Sequence, residues 1–354
     1  MRRIKRILVI QTAFLGDVIL TLPLLQVLKD FFFEAEIDVV VVPRSAEVCR
    51  NHPAVHEIIL YDKRNSQKGL AGLLELGRSL RKRRYDFAVV PHRSLRSALL
   101  PLLAGIPLRI GFKKSAGRLL FSKRVQYRKD LHEIERNLSL LGAIGIGEIG
   151  RTPPRIYPGN DSAERVTKFL TDHGSGPTKP MVTIAPGTIW NTKRWLKDRF
   201  AEVARALVND GFQVLLVGGA EDAGLCREIQ TLAGSDQILS SAGTFSLLES
   251  AEAIRRSRIM ISNDSAPMHL AVAVGTPVVG IFGATVPAFG FAPYGSNDVV
   301  VETRGLRCRP CSVHGGDRCP IETFECMLNI SADRVFAKAL EVLNRVGEVE
   351  REKH

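Results

Sequence analysis

One stretch, residues 257–283 (SRIMISNDSAPMHLAVAVGTPVVGIFG), constrains the fold more than any other part of the chain. An apolar run ends at a polar loop, a short apolar segment opens at Pro267, and a second apolar run begins after Gly275. Proline suits the first turn of a helix and glycine suits its end, so the pattern predicts strand, loop, helix, strand. The connection is long enough for the two strands to pair in parallel. Asp264 and Ser265 are therefore expected at the carboxyl end of a strand, beside a helix amino terminus.

That position is where open α/β sheets bind ligands, and the free N–H groups of a helix amino terminus attract an anion such as a diphosphate. The segment alone is equally compatible with a plain βαβ unit in which Asp264 only caps the helix. It therefore predicts an α/β domain, with a phosphate-type ligand as one of two interpretations.

The length of 354 residues predicts two domains. Two loops rich in proline and glycine, residues 151–160 and 173–177, flank a short amphipathic helix, and we place the domain boundary near residue 156. The apolar runs all fall well short of the roughly 20 residues that span a membrane. The basic start of the chain does not continue as a signal peptide, because Gln11 and Asp17 interrupt the apolar stretch. We therefore expect a cytoplasmic protein.

The positive charge of the chain is confined to its first half. Residues 1–155 contain 28 Lys and Arg against 14 Asp and Glu, whereas the rest of the chain contains 21 against 23. Such a surface is either merely solvated or attracts a polyanion: nucleic acid, anionic lipid head groups or a phosphorylated glycolipid.

Two loops in the first half carry candidate site residues. A predicted strand at residues 6–10 leads to Asp17, at the head of a helix that Pro23 should kink. Asp17 is either an N-cap or a group that stands in the crevice above the sheet. A predicted strand at residues 87–90 leads to Arg93 and Arg96, which are expected on one helical face. There they could grip a phosphate or carboxylate, or simply be exposed.

Two loops in the second half have the composition of a nucleotide site. A predicted strand at residues 181–185 leads to Thr188 and Lys193, and hydroxyl, backbone N–H and ammonium groups of such a loop suit a diphosphate. The spacing is not that of a Walker loop, and a basic surface loop is the alternative. A strand at residues 213–217 leads to Glu221 and Asp222, either of which could accept hydrogen bonds from ribose hydroxyls.

Four of the six cysteines lie within nineteen residues, at Cys308, Cys311, Cys319 and Cys326. The first two form a Cys-x-x-Cys metal half-site, but the spacing of the second pair is irregular. Free thiols are favoured over a structural metal, and a disulfide is disfavoured in a reducing cytosol.

Three segments together resemble a known family. They are Leu-Gly-Asp with Thr-Leu-Pro at residues 15–23, Pro-Gly-Thr with Thr-Lys-Arg-Trp at residues 186–195, and Asn-Asp-Ser-Ala-Pro-Met-His-Leu-Ala with Gly-Thr-Pro-Val-Val-Gly-Ile-Phe-Gly at residues 263–283. The three motifs and their order resemble those of the ADP-heptose:lipopolysaccharide heptosyltransferases, glycosyltransferase family 9. The Thr-Lys-Arg-Trp form and the cysteine-rich tail look more like the second heptosyltransferase of the family than the first. The resemblance implies an α/β fold of the GT-B type, two Rossmann-like domains with parallel sheets facing across a cleft. Residues 1–155 would bind the acceptor, residues 156–330 would bind the nucleotide sugar, and a helix at residues 331–350 would pack back on the first domain.

The resemblance also implies an activity: inverting transfer of heptose from ADP-heptose to the inner core of lipopolysaccharide, with the second heptose favoured over the first. Asp17 would be the catalytic base, and Lys193 would assist the leaving group. The implied donor-binding residues are Thr188, Lys193, Glu221, Asp222, Asp264, Ser265, Ala266 and His269. The implied acceptor-binding residues are Arg44, Arg93, Arg96, Arg109 and Lys113.

Further expectations concern cofactors and partners. An Asp-x-Asp metal motif is missing from the sequence, so neither a catalytic metal nor a cofactor is expected. The expected partners are the nucleotide sugar and a phosphorylated glycolipid, met by a monomer at the periphery of the inner membrane, on its cytoplasmic face. Two alternatives stay open: another GT-B enzyme that uses a nucleotide sugar, and a basic α/β protein that binds nucleic acid.

Overall fold

The computed structural model describes residues 3–176 and 179–351. The chain divides after Tyr157 into two units, next to the boundary predicted at residue 156. Each unit is built around one sheet, and the two are considered separately below.

Each unit contains a six-stranded sheet, and every strand pair found among the described residues is parallel. The strands of the first unit are β1 Arg6–Ile10, β2 Glu36–Val41, β3 Glu57–Leu60, β4 Phe87–Val90, β5 Leu108–Phe112 and β6 Lys123–Val125. Those of the second unit are β7 Met181–Ala185, β8 Gln213–Leu216, β9 Ile238–Ser240, β10 Ile259–Asn263, β11 Val278–Phe282 and β12 Val299–Glu302.

The α-helices alternate with the strands in both units. In the first unit they are α1 Leu15–Ile19, α2 Leu22–Phe31, α3 Gly69–Lys82, α4 Leu95–Leu103 and α5 Glu133–Ser139. In the second unit they are α6 Asn160–Asp172, α7 Lys197–Asn209, α8 Ala223–Ala233, α9 Leu247–Arg255, α10 Ala266–Ala273, α11 Glu325–Leu328 and α12 Ala332–Arg351.

The two sheets share one topology. The first has the order β3-β2-β1-β4-β5-β6 and the second has the order β12-β11-β10-β7-β8-β9. Numbered from its own first strand, each sheet reads 3-2-1-4-5-6, the order of nucleotide-binding Rossmann domains. The direction of winding reverses between β1 and β4, and again between β7 and β10. The predicted α/β fold with two Rossmann-like domains is confirmed.

The reversal points carry the candidate site loops, because ligands bind in the crevice outside the carboxyl ends of the strands at such a point. Asp17 follows β1 and Arg93 follows β4, while Lys193 follows β7 and Asp264 follows β10. The topology thus places the β1 and β4 loops side by side at the carboxyl ends of the first sheet's strands, and the β7 and β10 loops side by side at those of the second.

Apolar side chains explain why the central strands lie where they do. After Arg6, the residues of β1 (ILVI) are apolar on both faces and buried, as a strand covered by helices on both sides requires. In the first unit α3 packs Leu73, Leu76 and Leu80 into the core, and in the second unit α7 contributes a similar apolar stripe.

The prediction of a single helix kinked at Pro23 is wrong. Helix α1 ends at Ile19, and α2 begins at Leu22 with the proline in its first turn. The N–H of a first-turn residue has no acceptor within the helix, so a proline there loses no helical hydrogen bond, and Pro23 starts a new helix instead of bending an old one. The Thr21 hydroxyl donates to the Asp17 carbonyl oxygen at 2.8 Å across the join.

Helix α12 contacts α7 and strands β10, β11 and β12 in its own unit. That the C-terminal helix packs back on the first domain stays a prediction. A search of the helices in the described part of the chain finds none with the length and apolarity that a membrane crossing requires.

Candidate active site

Asp17 lies in the first turn of α1, just after the carboxyl end of β1. Its carboxylate accepts a hydrogen bond from the backbone N–H of Phe14 at 3.2 Å. Burial raises the pKa of Asp17 to about 7, and the nearby Glu133 carboxylate acts in the same direction, whereas the Phe14 N–H and Arg93 oppose the shift. A carboxyl group that titrates near neutrality can take up a proton at physiological pH, which is the property of a general base.

A hydroxyl and imidazole network joins the loops after β1 and β4. The Thr12 hydroxyl lies 3.0 Å from His92 Nδ1 and 3.0 Å from the Ser97 hydroxyl, which itself lies 2.8 Å from His92 Nδ1. Burial lowers the pKa of His92 to about 4, so the imidazole is neutral near pH 7. This network fixes the β1 loop that carries Asp17. None of its residues was predicted from the sequence, although they follow the two central strands.

Behind Asp17 lies a buried group of polar and aromatic side chains. The Tyr127 hydroxyl donates to Glu133 at 3.0 Å, and the Arg136 guanidinium lies 2.9 Å from the same carboxylate. Two guanidinium groups, those of Arg93 and Arg136, lie 4.3 and 5.0 Å from the centroid of the Tyr127 ring. Arg93 is thereby held in place by a cation–π contact. No sequence pattern near Asp17 indicated Tyr127, Glu133 or Arg136.

The prediction that Arg93 and Arg96 share a helical face is wrong. Ser94 caps α4 by accepting a hydrogen bond from the Ser97 N–H at 3.2 Å, so Arg93 precedes the helix and only Arg96 belongs to it. Arg93 is half-buried against Tyr127, whereas Arg96 is exposed.

The other predicted acceptor residues are scattered. Arg44 is exposed after β2, and Lys113 is exposed after β5. Arg109 lies near the amino end of β5, where its guanidinium donates to the carbonyl oxygens of Ile106 and Leu120 at 2.7 Å each. These bonds tie the start of β5 to neighbouring segments, so Arg109 has a structural role.

In the second unit the predicted Lys193 and Asp264 form an ion pair. Lys193 Nζ lies 2.6 Å from Asp264 Oδ2, and the side chains are only 13% and 7% exposed. The Thr285 hydroxyl, which follows β11, donates to the same oxygen at 2.6 Å. The structure therefore brings together loops that follow three neighbouring strands, β7, β10 and β11. Thr285 was not predicted, although it follows an apolar run just as Asp264 does.

Backbone contacts hold these loops in register. Asn263 accepts a hydrogen bond from the Trp195 N–H at 3.0 Å and donates to the Pro186 carbonyl oxygen at 2.8 Å, so one amide side chain joins the β10 loop to both ends of the β7 loop. Trp195 is buried, as expected for a core side chain.

The amino terminus of α10 lies beside the ion pair. Ser265 is the N-cap residue, but its hydroxyl donates to the Asn263 carbonyl oxygen at 3.3 Å and makes no capping hydrogen bond. Ala266 and Pro267 open the helix, and His269, one turn on, is 5% exposed. A helix start that no side chain caps presents its positive end to the site.

The structure distinguishes the two acidic candidates after β8. Asp222 is half-buried, accepts a hydrogen bond from the Gly219 N–H at 3.0 Å, and lies so close to Gly187 that a Cβ there would be 2.1 Å from its Oδ1. Burial raises the pKa of Asp222. Glu221 is exposed. Asp222 therefore reaches the β7 loop that also carries Thr188, whose carbonyl oxygen accepts from Arg194 at 2.9 Å.

The cysteine-rich segment also reaches the β7 loop. The Gly316 N–H donates to the Thr192 hydroxyl at 2.8 Å, and a Cβ on Gly315 would lie 3.1 Å from Lys193 Cγ. All six cysteines are thiols, and burial raises the pKa of Cys326 to about 11.

One group in the described residues has the spacing of a metal site: the side chains of Asp38, His56 and Glu57 offer ligand atoms within 4.8 Å of one another. The Arg83 guanidinium lies 3.3 Å from Asp38, and Tyr85 donates to the same carboxylate at 2.6 Å. A guanidinium inside the group repels a cation, so we interpret it as an ion-pair network near the amino ends of β2 and β3.

Known proteins and solved structures resemble this chain over most of its length. The chain is 29% identical over 293 residues to "Lipopolysaccharide heptosyltransferase 2" of Salmonella typhimurium, which covers 80% of this chain and 84% of the relative. The solved glycosyl transferase family 9 structure from Veillonella parvula matches with a TM-score of 0.88 at 25% identity, covering 96% of this chain and 98% of that one. The E. coli ADP-heptose LPS heptosyltransferase II structure matches with a TM-score of 0.79 at 26% identity, covering 96% and 99%.

The fold prediction of the GT-B type is confirmed by these neighbours. The family model for glycosyltransferase family 9 (heptosyltransferase) matches residues 73–318, more than half of the chain. The protein is therefore a glycosyltransferase, and it belongs to glycosyltransferase family 9, the heptosyltransferase family.

Proposed function

We propose that the protein transfers heptose from ADP-heptose to the inner core of lipopolysaccharide, with inversion at the anomeric carbon, and that it adds the second heptose. The observation that carries this proposal is the Lys193–Asp264 ion pair beside the amino terminus of α10, at the reversal point of a Rossmann-type sheet. Such a site suits a nucleoside diphosphate. The names of the relatives support the donor, the acceptor and the choice of the second heptose.

Each site residue has a proposed role in one displacement. Asp17 accepts the proton of the acceptor hydroxyl as that oxygen forms its bond to the anomeric carbon. The bond from the anomeric carbon to the diphosphate breaks on the opposite face, and ADP leaves with the electron pair. Lys193, the Thr188 hydroxyl and the amino terminus of α10 stabilise the charge that develops on the diphosphate.

Asp264 and Asp222 are the proposed contacts for hydroxyl groups of the donor. Asp264 uses Oδ2 for Lys193 and Thr285, and Oδ1 has no protein partner among the described residues. Asp222 is favoured over Glu221 for the ribose, because it lies against the β7 loop. Ser265, Ala266 and His269 are further proposed contacts for the donor, and Arg93 is the leading proposed contact for the acceptor.

We further propose that the reaction needs no metal, because a lysine and a helix amino terminus already supply positive charge at the proposed diphosphate position. A chelator should then leave the rate of transfer unchanged.

We also propose that the protein acts as a monomer at the cytoplasmic face of the inner membrane. Sedimentation velocity tests whether the protein is a monomer, and fractionation of cells tests its location at the membrane.

The decisive experiment is a transfer assay with ADP-heptose and acceptors that carry no heptose, one heptose or two. We expect turnover with the one-heptose acceptor to exceed that with the others by about tenfold or more, since a site built to bond a sugar hydroxyl discriminates strongly against its absence. Turnover confined to the acceptor without heptose would overturn the choice of the second heptose. Failure of ADP-heptose with all three, alongside turnover of another nucleotide sugar, would overturn the proposed donor.

A further inference from the structure

The connection from β5 to β6 forms a cationic pocket on the first unit. Its volume is about 520 Å³, and it is lined by Lys113, Arg118, Ser122, Lys123 and Arg124. Within the described residues none of the four cations takes part in an ion pair, and all four are exposed. The pocket therefore presents four uncompensated positive charges to whatever lies outside it.

Protection of a sheet edge explains only part of this arrangement. β6 is the edge strand of its sheet, and charged side chains such as Lys123 and Arg124 commonly keep an edge from pairing with another chain. Lys113 and Arg118 lie off the strand, in the connection that precedes it. Their convergence with the strand's own cations is what makes an anion site.

Exposed leucines flank the pocket. Leu119 is 78% exposed beside Arg118, and Leu95, in the first turn of α4, is 50% exposed. A Cβ on Gly117 would lie 2.4 Å from the Ala98 Cβ and 3.3 Å from Leu95 Cδ1, so the turn at residues 117–120 packs directly on α4. One surface thus combines large apolar side chains with free cations, the combination found in proteins that lie on membranes.

This surface adjoins the candidate active site of the first unit. β5 is the neighbour of β4, which in turn is the neighbour of β1. The Ala116 N–H donates to the Arg93 carbonyl oxygen at 3.0 Å, which fixes the connection to the loop that carries Arg93. Phe14, in the loop after the carboxyl end of β1 and next to Asp17, is 51% exposed. The surface is thus joined, through the loop that carries Arg93, to the side of the sheet that carries Asp17.

We propose that Lys113, Arg118, Leu119, Lys123 and Arg124 form a membrane-docking surface, in which the pocket takes the phosphates of anionic phospholipid head groups and Leu119 enters the acyl boundary. The inference rests on the proposed function, since an enzyme that acts on a lipid-anchored glycan has to meet it at a membrane. Anionic lipid attracts each nearby Lys or Arg, and the first unit has the charge that this requires. The surface would present the Asp17 loop to acceptors that project from the bilayer.

The test is cosedimentation with vesicles of phosphatidylcholine, with and without phosphatidylglycerol, in the absence of donor and acceptor. We compare the Arg118→Glu/Arg124→Glu variant with the matched Arg78→Glu/Lys82→Glu variant, which makes the same charge change on exposed positions of α3. The wild type should bind only the anionic vesicles. The first variant should lose about tenfold or more in partition coefficient, and the control should change by less than about threefold.

A second pair of variants tests the apolar contribution. Leu119→Asp should weaken vesicle binding about tenfold, whereas Leu70→Asp, at a 66% exposed leucine in α3, should not. Equal losses in both members of either pair would overturn the proposal, as would a wild type that ignores phosphatidylglycerol. The proposal would also be overturned if the Arg118→Glu/Arg124→Glu and Leu119→Asp variants kept vesicle binding and instead lost a salt-sensitive gel shift with duplex DNA.

Transfer to a delipidated, water-soluble acceptor separates this inference from the proposed function. The Arg118→Glu/Arg124→Glu variant should keep wild-type turnover there and lose turnover with acceptor embedded in vesicles. A wild type that binds anionic vesicles but has no transferase activity would contradict only the proposed function. Full activity of the variant on the embedded acceptor would overturn the docking surface alone.

Discussion

Lys193 Nζ lies 2.6 Å from Asp264 Oδ2, and the Thr285 hydroxyl donates to that same oxygen at 2.6 Å. Both partners of the ion pair are mostly buried, and together they are electrically neutral. Removing either one leaves the other charge without compensation, which is costly at a buried position. The two residues therefore act on each other as well as on a ligand, and substituting one should change ADP and ADP-heptose binding differently from substituting the other.

Asp264→Asn separates these effects. The substitution leaves Lys193 with an unopposed charge, so we expect the affinity for ADP to stay the same or rise. Binding of ADP-heptose should weaken about tenfold relative to ADP, because a charged hydrogen bond to the sugar contributes about 1.5–3 kcal/mol. Titration calorimetry with both ligands measures the difference. Lys193→Ala is the matched comparison and should weaken both ligands together. An equal loss of both ligands in Asp264→Asn would refute the contact with the sugar.

The raised pKa of Asp17 predicts the pH dependence of the reaction. A base accepts a proton only when it is ionised, so activity should rise with pH through about 7 and level off above it. We expect kcat/KM with a saturating donor to follow this single ionisation between pH 5 and 9. Asp17→Asn, which cannot ionise, should cost about 100-fold or more at every pH and should bind ADP normally. A wild-type profile that is flat down to pH 5 would remove Asp17 from the role of base.

The central strands could be predicted from the sequence because they are buried on both faces. The strands β1, β4 and β7 begin and end where their apolar runs do. The strands β6, β9 and β12 were not predicted. All three lie at a sheet edge: β6 at one edge of the first sheet, and β9 and β12 at the two edges of the second. An edge strand has one neighbour and needs only a short run of three or four residues, so it leaves little periodic signal. β6 shows this most clearly, since two of its three residues are exposed cations.

The candidate site divides in the same way. Asp17, Lys193 and Asp264 could be predicted because each lies in the loop or first helical turn that directly follows an apolar strand. The groups that set their properties are distant in sequence. Glu133 approaches Asp17 from a helix more than a hundred residues later, and Thr285 reaches Asp264 from the next strand. Only the fold brings them together, and no local pattern reports such a contact.

Glu133→Gln tests the influence of that distant carboxylate. The Glu133 charge raises the pKa of Asp17, and its removal also frees the positive charge of Arg136, so both effects lower the pKa. We expect the ascending limb of the pH profile to move to lower pH. The folded protein should lose about 1–3 kcal/mol of stability, because the buried guanidinium loses a charged partner. Tyr127→Phe is the control: it removes a hydrogen bond to Glu133 without changing charge, and should leave the limb in place.

Gly187→Ala tests the close approach of Asp222 to the β7 loop. An added Cβ would lie 2.1 Å from the Asp222 Oδ1, and the carboxylate cannot retreat without losing its bond from the Gly219 N–H. We expect a loss of about 1–3 kcal/mol in stability, the usual cost of overpacking, and weaker binding of ADP. Gly224→Ala is the matched control, since a Cβ there meets nothing within 4 Å.

The double substitution Gly187→Ala with Asp222→Ala decides the cause. All three of the nearest atoms to the added Cβ belong to the Asp222 carboxyl group, so its removal should restore most of the lost stability. In a double-mutant cycle the two changes should therefore couple by about 1 kcal/mol or more. ADP affinity should not recover if Asp222 itself binds the ribose. Additive losses of stability in thermal unfolding would show that Gly187 is required for another reason. Recovery of ADP affinity in the double variant would show that Glu221, and not Asp222, contacts the ribose.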